Sequence, residues 1–166
     1  SYLKLIKKGT GEEEAIKKSI INGFGSEYGI LGYGIDGVLS YGDLEANYQG
    51  FMYTLDMCRG DKPYLILKDN LWQENPNHKF DVRTYFTPKM DESYNISFWR
   101  KPLYKRVKEK LISEYCAVKD DPAFKARMSY YQLIDKENLN DLLIKEKIES
   151  QKRFARSKED LMTNCH

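Results

Sequence analysis

The chain has 166 residues, a net charge of +2, a hydrophobic fraction of 41% and a charged fraction of 31%, a balance that favours a folded domain with one core over a disordered chain. Its longest apolar runs, such as Tyr64 to Leu67, are far shorter than the roughly 20 residues of a membrane-spanning helix, so no membrane span is expected. With 12 basic and 14 acidic residues up to Arg100, and 15 and 11 beyond it, the chain lacks the basic patch that neutralises phosphates, and no nucleic-acid partner is expected.

The chain opens Ser1-Tyr2-Leu3-Lys4 with no initiator Met and no apolar leader, as a processed or truncated product would. Thr10 and Glu13 then stand at capping-box spacing, with three acids where a helix dipole favours them. Together with Ala15, Ile16 and Ile20, they predict a helix from Gly11 to about Ile21. Asn22-Gly23-Phe24-Gly25 should end it, because glycine readily takes the positive φ of a helix stop.

Glycine recurs at Gly23, Gly25, Gly29, Gly32, Gly34 and Gly37, with Phe24, Tyr28, Ile30, Leu31, Tyr33 and Ile35 interleaved. The order is neither GxGxxG nor that of a phosphate loop, so the stretch is expected to be a tight, partly buried loop. Asp36-Gly37-Val38-Leu39-Ser40-Tyr41-Gly42-Asp43-Leu44 resembles the second half of an EF-hand loop. Laid over the whole loop, Gly32 and Gly34 fall where side-chain oxygens are needed and Asp43 where a bidentate Glu is preferred. A turn at Asp36-Gly37 and a helix cap at Ser40 are expected instead, with no metal.

Ser40 as N-cap and Asp43 three residues on begin the strongest helix signal, from Ser40 to Cys58. Leu44, Tyr48, Phe51, Met52, Leu55 and Cys58 recur on one helical face, and Gly60 is placed to follow the end. Asp43, Glu45, Asn47 and Gln49 fall off that stripe and are expected to face outward.

Tyr64-Leu65-Ile66-Leu67 reads as a short buried strand. Phe80, Val82, Thr84 and Phe86 alternate with Asp81, Arg83 and Tyr85, which predicts its antiparallel partner. The segment Lys68 to Lys79, with Trp72, Pro76 and His78, would be the connection. Pro88 breaks the second strand, and Met90 to Asn95 leads into a helix over Lys101 to Ala117, where Leu103, Val107, Leu111 and Tyr115 repeat every fourth residue.

Asp120-Asp121-Pro122 restarts the chain, and Phe124, Met128 and Tyr131 supply the inner face of a helical hairpin. The last helix should run from Leu139 to about Leu161, packing through Leu142, Leu143, Ile144 and Ile148. Residues 150–166 should protrude, because basic residues there interleave with Glu146, Glu149 and Glu159 as on a solvated face. The expected fold is α+β and mainly helical: one domain over residues 1–166, with four to five helices around one core and a small antiparallel sheet.

Cys58, Cys116 and Cys165 form no C-x-x-C pair. Cys58 and Cys116 each close a predicted amphipathic helix, so a disulfide between them, and with it an extracytoplasmic location, is expected. A zinc site from Cys58, His78 and Cys116 has no supporting spacing. His166 ends the chain, so a Ser-His-Asp or Cys-His site would rest on His78.

The sharpest catalytic reading pairs Glu45 with Asp91 or Glu92 beside Tyr94 and Asn95, the two carboxylates of a glycan or peptidoglycan hydrolase. Arg83 would orient the partner carboxylate through a bidentate pair. The favoured expectation is a binding or structural protein that meets a protein or carbohydrate ligand through Trp72, Tyr85, Tyr94, Asn95 and Trp99, because half-buried aromatic residues suit such grooves. The hydrolase is one alternative. A cytoplasmic module that binds a partner through the basic C-terminal helix is another. No cofactor is expected.

Overall fold

The computed structural model describes residues 2–29 and 31–150. The expected protruding end, the basic run beyond Ser150, Cys165 and His166 lie outside the described residues. Short α1 (Tyr2–Lys7) leads into α2 (Glu12–Tyr28), which starts at Gly11 with no side-chain cap and runs straight through Gly23 and Gly25. The expected capping box and the expected stop at Asn22 are therefore both corrected. Two interior glycines cost a helix about 1 kcal/mol each, but Ala15, Ile20 and Phe24 recur on the buried face of α2. Burying a Phe side chain alone is worth roughly 2–3 kcal/mol, so packing carries the helix past its weak points.

Beyond α2 the chain folds back on itself so closely that only glycine fits. A Cβ on Gly34 would lie 1.6 Å from the Gly29 carbonyl oxygen, and one on Gly32 would lie 2.4 Å from that of Glu27. The Arg100 guanidinium donates to the carbonyl oxygens of Tyr33 and Gly34, each at 2.9 Å, and lies over the Tyr33 ring. The tight loop expected from the glycine count thus forms, although its start, Gly23 to Tyr28, is helix.

β1 (Val38–Leu39) follows, and then α3 (Tyr41–Cys58). The Ser40 hydroxyl oxygen accepts from the Asp43 amide at 3.0 Å, and Gly60 takes a φ of +80° just past the end, as the sequence predicts. The α3 stripe serves two clusters. Leu44 packs with Phe24, Leu39 and Ile144, while Leu55 packs with Tyr2 and Ala15, flanked by Phe51 and Met52. Cys58, at the end of the stripe, is exposed.

The strand pairing differs from expectation. β2 (Leu65–Lys68) pairs antiparallel with β3 (Leu71–Glu74), in register Leu65↔Glu74 to Lys68↔Leu71. Between them, Asp69 and Asn70 both take positive φ, 51° and 61°, the two-residue hairpin turn that matches strand twist. The segment expected to pair, Phe80 to Phe86, instead holds a 3-10 turn over Val82–Tyr85. Its alternation also pointed inward the wrong way, since Phe80, Val82 and Phe86 are exposed and Tyr85 is buried. Asp81 caps that turn by accepting from the Arg83 amide at 3.0 Å, and an Asp cap favours turn over strand.

A second 3-10 turn, Pro88–Met90, packs against the start of α3 at Gly42, where a Cβ would stand 3.1 Å from the Met90 carbonyl oxygen. β4 (Phe98–Trp99) then pairs with β1. α4 (Lys101–Val118) and α5 (Pro122–Ile134) follow, with Asp121 capping the second helix and Tyr115 edge-on to Phe124. Neither buries a residue, and Tyr131 of the expected inner face packs on Tyr94 and donates to Asp91, so the two helices do not close on each other as the expected hairpin would. α6 (Leu139–Ser150) returns to α2 and α3 through Ile144. The architecture is α+β and mainly helical, and no helix among the described residues is long and apolar enough to cross a membrane.

Candidate functional site

Glu45 stands one residue past the buried Leu44 on α3. It is 1% exposed, a correction to its expected outward position. Its Oε1 accepts from Gln49 at 2.8 Å, the Thr87 hydroxyl at 2.9 Å and Asn138 Nδ2 at 2.9 Å. Its Oε2 accepts from Asn138 Nδ2 at 3.0 Å and Asn140 Nδ2 at 3.2 Å. The carboxylate thus joins α3, the stretch before Pro88 and the start of α6 through neutral donors.

The start of α6 is held by a reciprocal cap. The Asn138 amide donates to Asp141 Oδ2 and the Asp141 amide to Asn138 Oδ1, both at 3.0 Å. Asp141 Oδ2 also lies 3.2 Å from the ammonium of buried Lys89, which donates in addition to the Asp135 carboxylate and the Lys136 carbonyl oxygen. Burial acts to lower the Lys89 pKa, but its carboxylate partners outweigh this and hold the ammonium above the usual lysine range. Tyr94 donates to Asp135 Oδ2 at 3.0 Å, and burial is the largest cause raising its hydroxyl pKa.

These groups surround a cavity of about 370 Å³, bounded by Glu45, Lys89, Asn95, Asp135, Glu137, Asn140, Asp141 and Lys145, with Tyr41, Ile144 and Ile148 as its apolar wall. Four carboxylates face two ammonium groups. Asp141 Oδ1 and Glu137 Oε2 accept no hydrogen bond among the described residues, whereas their other oxygens hold Lys89 and Lys145.

Of the residues expected from sequence, Glu45 and Asn95 line this cavity, and Tyr94 touches it through Asp135. Asp91 and Glu92 do not line it. Asp91 accepts from the Ser93 amide and hydroxyl and from Tyr131, with Arg127 at 3.7 Å. Burial works to raise its pKa, but these donors hold it below the ordinary Asp range. Glu92 accepts from Ser40 at 2.7 Å and from Ser97. Arg83 is bound to Asp81 and its side chain is 86% exposed, so Arg127 takes the place expected for it beside Asp91.

The aromatic candidates serve separate parts of the fold. Trp72 is exposed on the β2–β3 hairpin. Tyr85 is buried, and its hydroxyl donates to Asp56 at 2.8 Å. Tyr94 packs edge-on to Tyr131, and Trp99 pairs with Val38 in β4. His78 donates from Nδ1 to the Lys62 carbonyl oxygen and stacks on Tyr64. Cys58 is a free thiol, so the expected Cys58–Cys116 bridge is not formed. The end of α3 packs instead on the β2–β3 hairpin and the Val82–Tyr85 turn.

Sequence reasoning missed Lys89, Asp135, Asn138, Asn140 and Asp141. Asn138-Leu139-Asn140-Asp141 carries a readable signal, an N-cap amide with an acid three residues on. Nothing local marks Lys89 as buried. Compared with known proteins, the chain matches no family model, no curated protein and no solved structure at a significant level.

Proposed function

We propose that the protein is a binding protein whose ligand is a small organic amine with an apolar flank, seated in the cleft between α3, the Lys89–Asn95 connection and α6. The carrying observation is the pair of carboxylate oxygens, Asp141 Oδ1 and Glu137 Oε2, that accept nothing from the described residues, on side chains beside the apolar wall of Tyr41, Ile144 and Ile148. An ammonium group supplies the donors those oxygens lack, and a charge-assisted bond is about twice as strong as a neutral one. The cavity of about 370 Å³ falls within the range of small-ligand sites, roughly 300–1,000 Å³.

The glycan-hydrolase alternative is less well supported. A general acid must hold a proton where a leaving group can take it, and both oxygens of Glu45 already accept from side-chain donors in a site 1% exposed. The partner carboxylates expected for it are engaged elsewhere, Asp91 by Ser93 of its own loop and Glu92 by Ser97 and by Ser40 at the start of α3.

Calorimetry at low salt with benzylamine, benzyl alcohol and benzoate tests the proposal. Benzylamine should bind the native protein, and Glu137→Gln with Asp141→Asn should weaken it at least fivefold. Equal heats from the amine and the alcohol, or an amine affinity indifferent to both substitutions, would sink it.

A further inference from the structure

Between α2 and α3 lies a second, mainly apolar cavity of about 260 Å³, walled by Ser19, Gly23 and Phe24 on one side and by Leu44, Asn47, Tyr48 and Phe51 on the other, with Tyr2 of α1 and Asn140 of α6 reaching it. Among the described residues, no charged side chain lines it. We propose that this cavity binds a neutral aromatic molecule of one or two rings that carries a single N–H or O–H donor, the indole or phenol class, with the donor on Asn140 Oδ1.

Asn140 carries the argument. It is 3% exposed, and its Nδ2 is committed to Glu45 Oε2 at 3.2 Å. That bond fixes which end of the amide is which. Asn140 borders both cavities, and Glu45 borders only the cleft. Oδ1 is therefore the end of the Asn140 amide left for the second cavity, and it accepts nothing from the described residues. Amide oxygens inside a protein are almost always satisfied by protein or by water, and this one opens on the cavity with no described partner, so it is where a ligand's donor can replace water.

Size and shape narrow the class. An apolar cavity of about 150 Å³ is enough to hold benzene, so 260 Å³ admits a substituted ring or a fused pair. Gly23 leaves the α2 wall without a side chain, since nothing lies within 4 Å of where its Cβ would stand. The rings of Phe24 and Phe51 provide the aromatic edges and faces against which a flat ligand packs. A charged ligand is disfavoured, because no described residue of the wall carries a charge that offsets the cost of burying one.

The test is a titration of the native protein with indole and with indene, which has the same outline and no N–H, followed by amide and ring resonances of α2 and α3. Indole should shift Phe24, Leu44 and Phe51, and indene should bind about tenfold more weakly, the worth of one good hydrogen bond. Gly23→Leu, which fills the cavity from the α2 wall, should abolish indole binding while leaving the circular dichroism of the native protein. If that variant does not fold, the indole and indene comparison on the native chain decides alone. Indene binding as tightly as indole, indole leaving those resonances unmoved at millimolar concentration, or folded Gly23→Leu binding indole as the native protein does would each overturn the proposal.

Discussion

Replacing Glu45 with Leu separates a structural carboxylate from a catalytic one. Leucine fills most of the same volume, so little room is opened for water, but it accepts no hydrogen bond. Gln49 is half-buried and turns outward, and the Thr87 hydroxyl rotates. Asn138 and Asn140 have no such freedom. Asn138 Oδ1 is held by the Asp141 amide at 3.0 Å, so its Nδ2 must keep facing the site, and Asn140 is 3% exposed. Two amide donors left unsatisfied cost about 1–3 kcal/mol each, and relief from burying a carboxylate returns part of that.

The expected net loss is about 3 kcal/mol, read as a lower urea midpoint at unchanged slope. For a chain of this length it corresponds to a melting temperature lower by about 6–12 °C. A catalytic acid behaves oppositely, since its removal abolishes turnover and leaves stability near the native value. A Glu45→Leu protein within about 0.5 kcal/mol of native would refute the account of Glu45 as the tie between α3 and α6.

Lys89→Met leaves Asp135 and Asp141 facing each other without their shared cation, and should cost about 3 kcal/mol, the lower end for a broken buried pair because both carboxylates keep about a fifth of their exposure. The folded pKa of Lys89 is raised. Its stabilising contribution is therefore complete below the unfolded lysine pKa of about 10.4 and lost as pH rises through the folded value. Urea midpoints across pH 8 to 12 should show the native advantage over Lys89→Met shrinking only at the alkaline end, and a gap that closes near neutrality would count against it. Gly34→Ala forces a Cβ to within 1.6 Å of the Gly29 carbonyl oxygen and should cost more than about 2 kcal/mol. Gly25→Ala, with open space at the same distance scale, should instead stabilise α2 by about 0.5–1 kcal/mol; a melting curve of each variant checks the opposite signs.

Local chemistry made much of the helical frame legible. Ser40 and Asp121 each place a helix start by accepting from a backbone amide three residues on, Gly60 follows a helix end through its positive φ, and the Leu44 to Leu55 stripe follows from period alone. The errors arise where a distant partner decides. Gly23 and Gly25 read as a stop, because what holds α2 together there is the packing of Phe24 on Leu39 and Ile144, more than a hundred positions apart at its far end. Phe80 to Phe86 reads as a strand because alternation was weighed above the Asp81 cap, while the hairpin turn at Asp69-Asn70 was present in the sequence and passed over. The cleft was legible only at Glu45 and Asn95, since Lys89, Asp135 and Asp141 meet through folding and not through spacing.

The cleft and the apolar cavity share the start of α6, and this constrains how each can be probed. Glu45 and Asn138 both line or support the cleft and hold α6 to α3, so a substitution at either changes binding and stability together and reports neither cleanly. Glu137 is different: its side chain is 50% exposed, and its partner Lys145 is 64% exposed, a pair whose loss costs about 1 kcal/mol at most. Gly23 is the matching position for the apolar cavity, because its Cβ would enter open space. Effects on ligand binding at Glu137 and Gly23, measured with stability held near native, therefore carry the functional argument, whereas effects at Glu45 carry the structural one.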